Sequence, residues 1–505
     1  MMWSDGGGEH MTQMTQAASR HNVLDQLDQQ RPTSFYWQLT LLATIGGFLF
    51  GYDTANIGSA LNLIPYKLGD FATGYLVAGA SLGAAFGALL AGPLTDRFGR
   101  RSLMIADAFV YAIGALLSAF TPDVGVLLAA RTLIGIAIGA DSAIATAYIS
   151  EYAPRERRGS LAMLQQWMIT VGILSAYIVA LIILKAAPGS ATNLDWRLFF
   201  GIGAIPAVIG LIFRFEMPES PRWLLRKQRF EATQKALSKL AIEASMEDVE
   251  YTAAQLAQVD QREERVRARG WSKGVRRALM VVCVFFIFQQ ITGINVPLYY
   301  GPTLLGQYFE SGKSIVATTT AGVEVTAIMT AVNVAATYFA FRYIDKIGRR
   351  RLALGGYAGM AVFAVVAAIG IGAFTGIPRI VIAMIGLDFF IASFAIGVGG
   401  TGWLLQGEVF PTAVRGQAAA IGAIADWLAN YAIIEAFPAW HRAIGVDWVL
   451  VCFAALCIAA IAFVYRYLPE TKGLSVEQVT ELFEREASGE SASNLQAEPY
   501  PKEVG

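Results

Sequence analysis

The sequence predicts an all-α membrane protein of twelve transmembrane helices, built as two pseudo-symmetric bundles of six. Three observations carry this. With 55% hydrophobic and 15% charged residues and a mean hydropathy of +0.48, the chain is too apolar for a soluble globular protein. Windows of roughly 18 to 28 apolar residues recur along it, each able to cross a bilayer. Signatures in the first half return in the second, displaced by roughly 250 residues, as a parallel duplication requires.

Residues 1–35 are polar, lack the apolar core and cleavage site of a secretory signal, and read as a cytosolic tail. Six spans follow at about 36–59, 71–93, 103–120, 124–147, 161–185 and 198–216, an N-terminal bundle over 36–216. Residues 217–278 are rich in Glu, Lys and Ala, with mixed charges at helical spacing, and predict a linker of solvated surface helices. Six more spans, at about 279–305, 315–341, 352–374, 379–406, 417–438 and 447–467, form a C-terminal bundle over 279–468. Residues 469–505 are a second cytosolic tail. Arg97, Arg100 and Arg101 crowd the second connection, Arg155, Arg157 and Arg158 the fourth, and Arg342, Lys346, Arg349, Arg350 and Arg351 the eighth. Even-numbered connections and both termini are therefore expected in the cytoplasm, at a plasma or bacterial inner membrane.

The seventh span is the unusual one. FFIFQQITGINVPLYY, Phe285 to Tyr300, carries Gln289, Gln290, Thr292, Asn295, Tyr299 and Tyr300 at bilayer depth, with Gly293 and Pro297 weakening the helix between them. Uncompensated amides in hydrocarbon cost several kcal/mol each, so the stretch predicts one wall of a solute site. The alternative is that the amides bind neighbouring helices only. Ionisable residues within spans point to function by default: Asp53, Arg131 and Asp141, then Asp107, Glu324, Asp388, Asp426 and Glu435. Beyond Arg131 no further cation is read within a span. Cys283, Cys452 and Cys457 all lie in apolar runs, which argues against a disulfide framework. His10, His21 and His441 lack ligand spacing, so no metal is expected. Without a nucleophile–base pair or a phosphate loop, an enzyme is not expected either.

The repeated phrases are DRFGRR at Asp96 and DKIGRR at Asp345, EYAPRERRG at Glu151 and EVFPTAVRG at Glu408, and PESPR at Pro218 and PETKG at Pro469. With GFLFGYDTANIG (Gly47 to Gly58) and QQITGIN, they resemble the sugar-porter family of the major facilitator superfamily from Tyr36 to Leu474. That resemblance implies the major facilitator fold and a set of cytoplasmic gate charges. These are Asp96, Arg97, Arg100, Glu151, Arg158, Glu219 and Arg222 in the first half, and Asp345, Arg349, Glu408, Arg415 and Glu470 in the second. It implies a proton-binding carboxylate at Asp53, partnered by Arg131. It also implies solute contacts from Gln166, Gln289, Gln290, Asn295, Tyr299, Asn333, Trp403, Asp426 and Trp427. Asp426 stands where the family usually has an amide, and Trp403 is approached by GVGGTG rather than a proline-rich turn.

Asp141, in GADSA, is reminiscent of phosphate–proton and organic-ion members of the superfamily. It reads as a second proton site or a ligand for a cationic or hydroxylated solute, against a local helix–helix hydrogen bond. The expected function is proton-coupled uptake of a monosaccharide or polyol, with the proton as coupling ion and no cofactor. The rivals are a proton symporter of an organic anion or phosphate, and an uncoupled sugar uniporter. Expected partners are a small solute and the lipid bilayer, without nucleic acid, and the chain is expected to act as a monomer.

Overall fold

The structure is a computed structural model that describes residues 21–29, 34–152, 158–309, 314–472, 474 and 476–488, among which the chain is helical without strands. Short α1 (Val23–Gln29) precedes α2 (Ser34–Ala60), α3 (Asp70–Phe98), α4 (Arg100–Ala119), α5 (Val124–Tyr152) and α6 (Arg158–Ala186). The sixth crossing is α7 (Trp196–Ile202) followed by α8 (Ala204–Arg214). The linker folds as α9 (Pro221–Arg226), α10 (Phe230–Lys239) and α11 (Met246–Ala268). Broken α12 (Lys273–Ile291) and α13 (Asn295–Phe309) make the seventh crossing, and α14 (Ile315–Ile347) and α15 (Arg349–Ala373) the next two. The tenth is α16 (Gly376–Phe394), a π turn over Ala395–Gly399, and α17 (Thr401–Glu408). Then come α18 (Thr412–Ile444), α19 (Val446–Tyr467) and α20 (Val476–Ser488).

Among the described residues, 11 of these stretches are long and apolar enough to cross a membrane. Helix α2, 27 residues long, completes the predicted twelve. Its Thr40, Thr44, Asp53, Thr54, Asn56 and Ser59 are all buried. It faces protein more than lipid, and so does not need a uniformly apolar surface. Small residues let neighbours approach: Gly83 and Gly87 of α3 meet Gly135 and Ala140 of α5 at backbone distance.

Two helices in the expected tails go beyond the sequence reading. Helix α1 buries Val23, Leu24 and Leu27 in a core shared with α2, α5 and the linker. Its start is fixed by Val23 N donating to Thr252 Oγ1 at 3.0 Å and Asn22 Nδ2 to Gln255 Oε1 at 2.9 Å. Helix α20 lies on α12, where Gly274 N donates to Glu484 Oε2 at 2.9 Å and Arg277 pairs with Glu486 at 2.9 Å. Both sit with α9–α11 at one end of the bundle, called here the terminal face.

Candidate functional site: a buried polar midline and its charge clusters

The seventh crossing breaks at the predicted place: α12 ends at Ile291, Gly293 adopts φ +87°, and α13 restarts at Asn295. The break turns Asn295 back, so that its Nδ2 donates to Gln290 Oε1 at 2.8 Å. Gln290 Nε2 in turn donates to Asp426 Oδ1 on α18 at 2.7 Å. Gln289, a residue earlier and about 100° round the helix, donates to the Gly399 carbonyl in the π turn at 3.0 Å. This carbonyl belongs to the segment that replaces the proline-rich approach to Trp403. Gln289 Oε1, Trp427 Nε1 and Asn430 Oδ1 are buried here without a hydrogen-bond partner. Unmet donors and acceptors beside a carboxylate suit a ligand with several hydroxyls.

The aromatic residues tie this cluster to the opposite half. Trp427 meets Phe50 of α2 edge-on at 5.1 Å, and the Trp403 ring lies 5.1 Å from Phe286. Both tryptophans pack into a core containing Leu49, Tyr111 and Ile138 of the first half. Gln166 is half-buried on α6 and Asn333 buried on α14. They flank the contact where Trp167 Nε1 donates to the Val334 carbonyl at 3.3 Å. Gln165 accepts from Thr146 of α5 at 2.9 Å and so faces a neighbouring helix.

Arg131 is 0% exposed, paired with Asp53 Oδ1, and its Nε donates to the Leu76 carbonyl at 3.0 Å. Thr54, the next residue on α2, donates to the Tyr299 hydroxyl at 3.5 Å. Tyr299, Asn295 and Gln290 thus connect the acid pair of one half to the amides of the other. Thr54 stands inside GFLFGYDTANIG, where no local spacing marks it for the site.

Asp141 calls for a correction. Besides Arg131, a second intramembrane cation is present that the sequence does not reveal: Arg214, at the end of the sixth crossing, is 1% exposed. Its Nη2 lies 2.6 Å from Asp141 Oδ1 and its Nη1 2.7 Å from Asp107 Oδ1. A charge near the end of a span resembles an ordinary boundary residue, which is why the sequence concealed it. Asp141 therefore faces a guanidinium and a second carboxylate rather than the amide cluster. Farther from the terminal face, Glu324 pairs with Lys185 at 2.7 Å, both half-exposed. Asp388 is half-buried on α16. The Glu435 side chain rests against Gly74 of α3.

At the terminal face the two halves carry matching clusters. Arg100 pairs with Glu151 at 3.0 Å and Asp96 at 3.5 Å, while its backbone N–H donates to Glu219 at 2.9 Å. Arg349 pairs with Glu408 at 2.7 Å, and its N–H donates to Glu470 at 2.8 Å. Burial pushes the Glu219 carboxyl above its usual range, against the pull of the Ser220, Arg101 and Arg100 N–H groups. Arg97 lies over the Phe98 ring at 5.1 Å, Arg222 pairs with Asp28 of α1 at 3.2 Å, and Arg415 Nε donates to the Phe410 carbonyl at 3.1 Å. The side chains of Arg158 and Asp345 lie outside the described residues.

Gly99 and Gly348 permit the two clusters. Each caps its helix at positive φ (93° and 102°), and a Cβ on Gly99 would sit 2.2 Å from Glu219 Oε2. Gly99→Ala should therefore cost about 1–3 kcal/mol from the backbone alone, and more from displacing Glu219. A lower thermal midpoint of the purified protein checks this; an unchanged one would contradict it.

Both pairs, Arg100–Glu151 and Arg349–Glu408, stay within their own half. The face opposite instead joins the halves. Lys185 meets Glu324 at 2.7 Å, Asp70 meets Arg442, and Asn62 Nδ2 donates to Thr319 Oγ1 at 3.4 Å. Tyr177 donates to the Leu298 carbonyl at 2.6 Å. This conformation is closed on that opposite face.

Two six-crossing halves around a buried polar midline define a secondary transporter of the major facilitator class. A family model described as "Sugar (and other) transporter" matches residues 39–483, and the chain belongs to that family. The glucose transporter GlcP of Staphylococcus epidermidis is 35% identical over 448 residues, covering 88% of this chain and 97% of that protein. The D-xylose-proton symporter of Escherichia coli is 33% identical over 504 residues, covering 91% and 98%. Among solved structures, the partially occluded inward-open conformation of the xylose transporter XylE from E. coli superposes with a TM-score of 0.75 at 29% identity. It covers 88% of this chain and 100% of that one. As a family of transporters, this assignment leaves no enzymatic role to explain.

Proposed function

We propose that the protein takes up a monosaccharide or related polyol by proton symport, through alternating exposure of the midline site. The observation that carries the reading is the run of polar groups from Arg131–Asp53 by the adjacent Thr54 to Tyr299, which shares a face of α13 with Asn295, and on through Gln290 to Asp426. Solute hydroxyls engage Gln289, Gln290, Asn295, Tyr299 and Asp426, with Gln166 and Asn333 from the facing helices, and Trp403 and Trp427 supply flat apolar surfaces for the sugar's C–H face. Asp53 carries the coupling proton, exchanging its ion pair with Arg131 for that proton as the two separate. Linking that exchange to movement of α2 couples proton flow to solute flow. No cofactor enters the cycle. Arginine-rich connections support a cytoplasmic terminal face, with both tails on that side. Relatives named for glucose and for xylose–proton symport support the solute class.

The anion-symport rival loses support, because Arg131 and Arg214 are both engaged by carboxylates. An anion site requires an available cation. Uptake into proteoliposomes across sugars, polyols and organic acids, with and without a pH gradient, tests the reading. Sugar or polyol accumulation only with the gradient, and alkalinisation of the medium on adding solute, is the expected result. Competition by carboxylates but not sugars would transfer the assignment to the rival.

A further inference from the structure

The Asp107–Arg214–Asp141 cluster differs from the Asp53–Arg131 pair in its charge. Asp53 and Arg131 neutralise each other. In the cluster two carboxylates meet one guanidinium, leaving an excess negative charge among side chains that are at most 6% exposed. An uncompensated charge of that kind costs several kcal/mol away from water.

The geometry shows what is missing. Arg214 satisfies only the Oδ1 atoms. Asp107 Oδ2 and Asp141 Oδ2 are buried without a donor, although the two side chains lie within hydrogen-bond reach of each other. Two ionised carboxylates have no hydrogen to place between them. A single proton supplies it and cancels the excess charge together.

Among the described residues, no other charged side chain lines the cluster. Asp107 and Tyr111 face the cluster from α4, Asp141 from α5 and Arg214 from α8, around a cavity of about 10 Å³, the room of roughly one water molecule. From α2 come only Gly46 and Leu49. A Cβ on Gly46 would fall 1.3 Å from Asp141 Oδ2, so α2 lies directly on this carboxylate, two turns before Asp53. The Tyr111 hydroxyl is directed to the Leu49 carbonyl at 3.1 Å. It donates there rather than to the acids.

We propose that Asp107 and Asp141 share one bound proton against Arg214, forming a second proton-binding site distinct from Asp53. Along α5, Asp141 lies ten residues beyond Arg131, about 15 Å nearer the terminal face. On the orientation proposed above, this is the side to which Asp53 releases its proton. The site itself does not depend on that orientation.

The test is infrared absorption of the purified full-length protein in lipid at neutral pH, without solute or gradient, reading the protonated-carboxyl C=O band. Asp107→Asn and Asp141→Asn each leave a balanced ion pair with Arg214. Either variant should therefore lose the same amplitude, that of one protonated carboxyl. If one variant does not fold, the other suffices, since each removes the same proton. A band unchanged in the folded variants would show a fully ionised triad and overturn the proposal. Failure of both to fold would overturn it too, because an amide would then not replace a neutral acid. Neither reading depends on whether Asp53 couples transport.

Discussion

Asp53→Asn should abolish solute accumulation against a gradient, while exchange of internal for external solute continues. The amide keeps the size of the carboxylic acid and can hydrogen-bond to Arg131, so α2 still moves as it does with the acid protonated. What it lacks is a proton to load and unload. Internal solute should then rise only to the external concentration, whatever the imposed pH difference. The same variant leaves Arg131, 0% exposed, without its counter-charge. Removing one partner of a buried pair costs about 3–5 kcal/mol, so a lower thermal midpoint should accompany the transport defect. Uptake of labelled solute into proteoliposomes, with counterflow in parallel, separates the two effects. Accumulation equal to wild type would remove Asp53 from the coupling step.

Gln290→Ala has the second large expected effect, on affinity rather than coupling. Gln290 is the hub of its cluster, donating to Asp426 at 2.7 Å and accepting from Asn295 at 2.8 Å. Truncation leaves a buried carboxylate oxygen without its donor, at about 1–3 kcal/mol, and a half-buried Asn295 amide without its acceptor. Solute affinity should weaken about 10- to 100-fold, as measured by counterflow titration. Trp403→Ala should also weaken it, through lost contact with the solute's apolar face. Unchanged affinity in both variants would mean that the solute binds elsewhere.

What was legible in the chain was whatever local spacing and duplication encode. The spans, the break at Gly293 and the paired DRFGRR and DKIGRR phrases all concern residues close together or repeated in register. Asp53 and Arg131 were readable because each is costly inside an apolar run. Arg214 was not, because it lies at the end of its span, and its partners are 73 and 107 residues away. No periodicity reports such a convergence of three helices. Helix α1 was hidden for another reason. Its 7 residues fall below the about 12–15 at which an isolated helix becomes even marginal in water, so it exists through docking. Helix α20, with 13 residues, stands at that margin, and its apolar face finds its partner in α12.

The docking of α1 and α20 bears on how the cycle can be watched. Helix α1 shares a core with the first half, and α20 lies on α12 of the second. Each described end of the chain is thus fastened to a different body at the terminal face, α1 through the linker to the first half and α20 to the second. A pair of spectroscopic labels on these two segments would report the separation of the bodies as a distance, without disturbing any side chain at the midline.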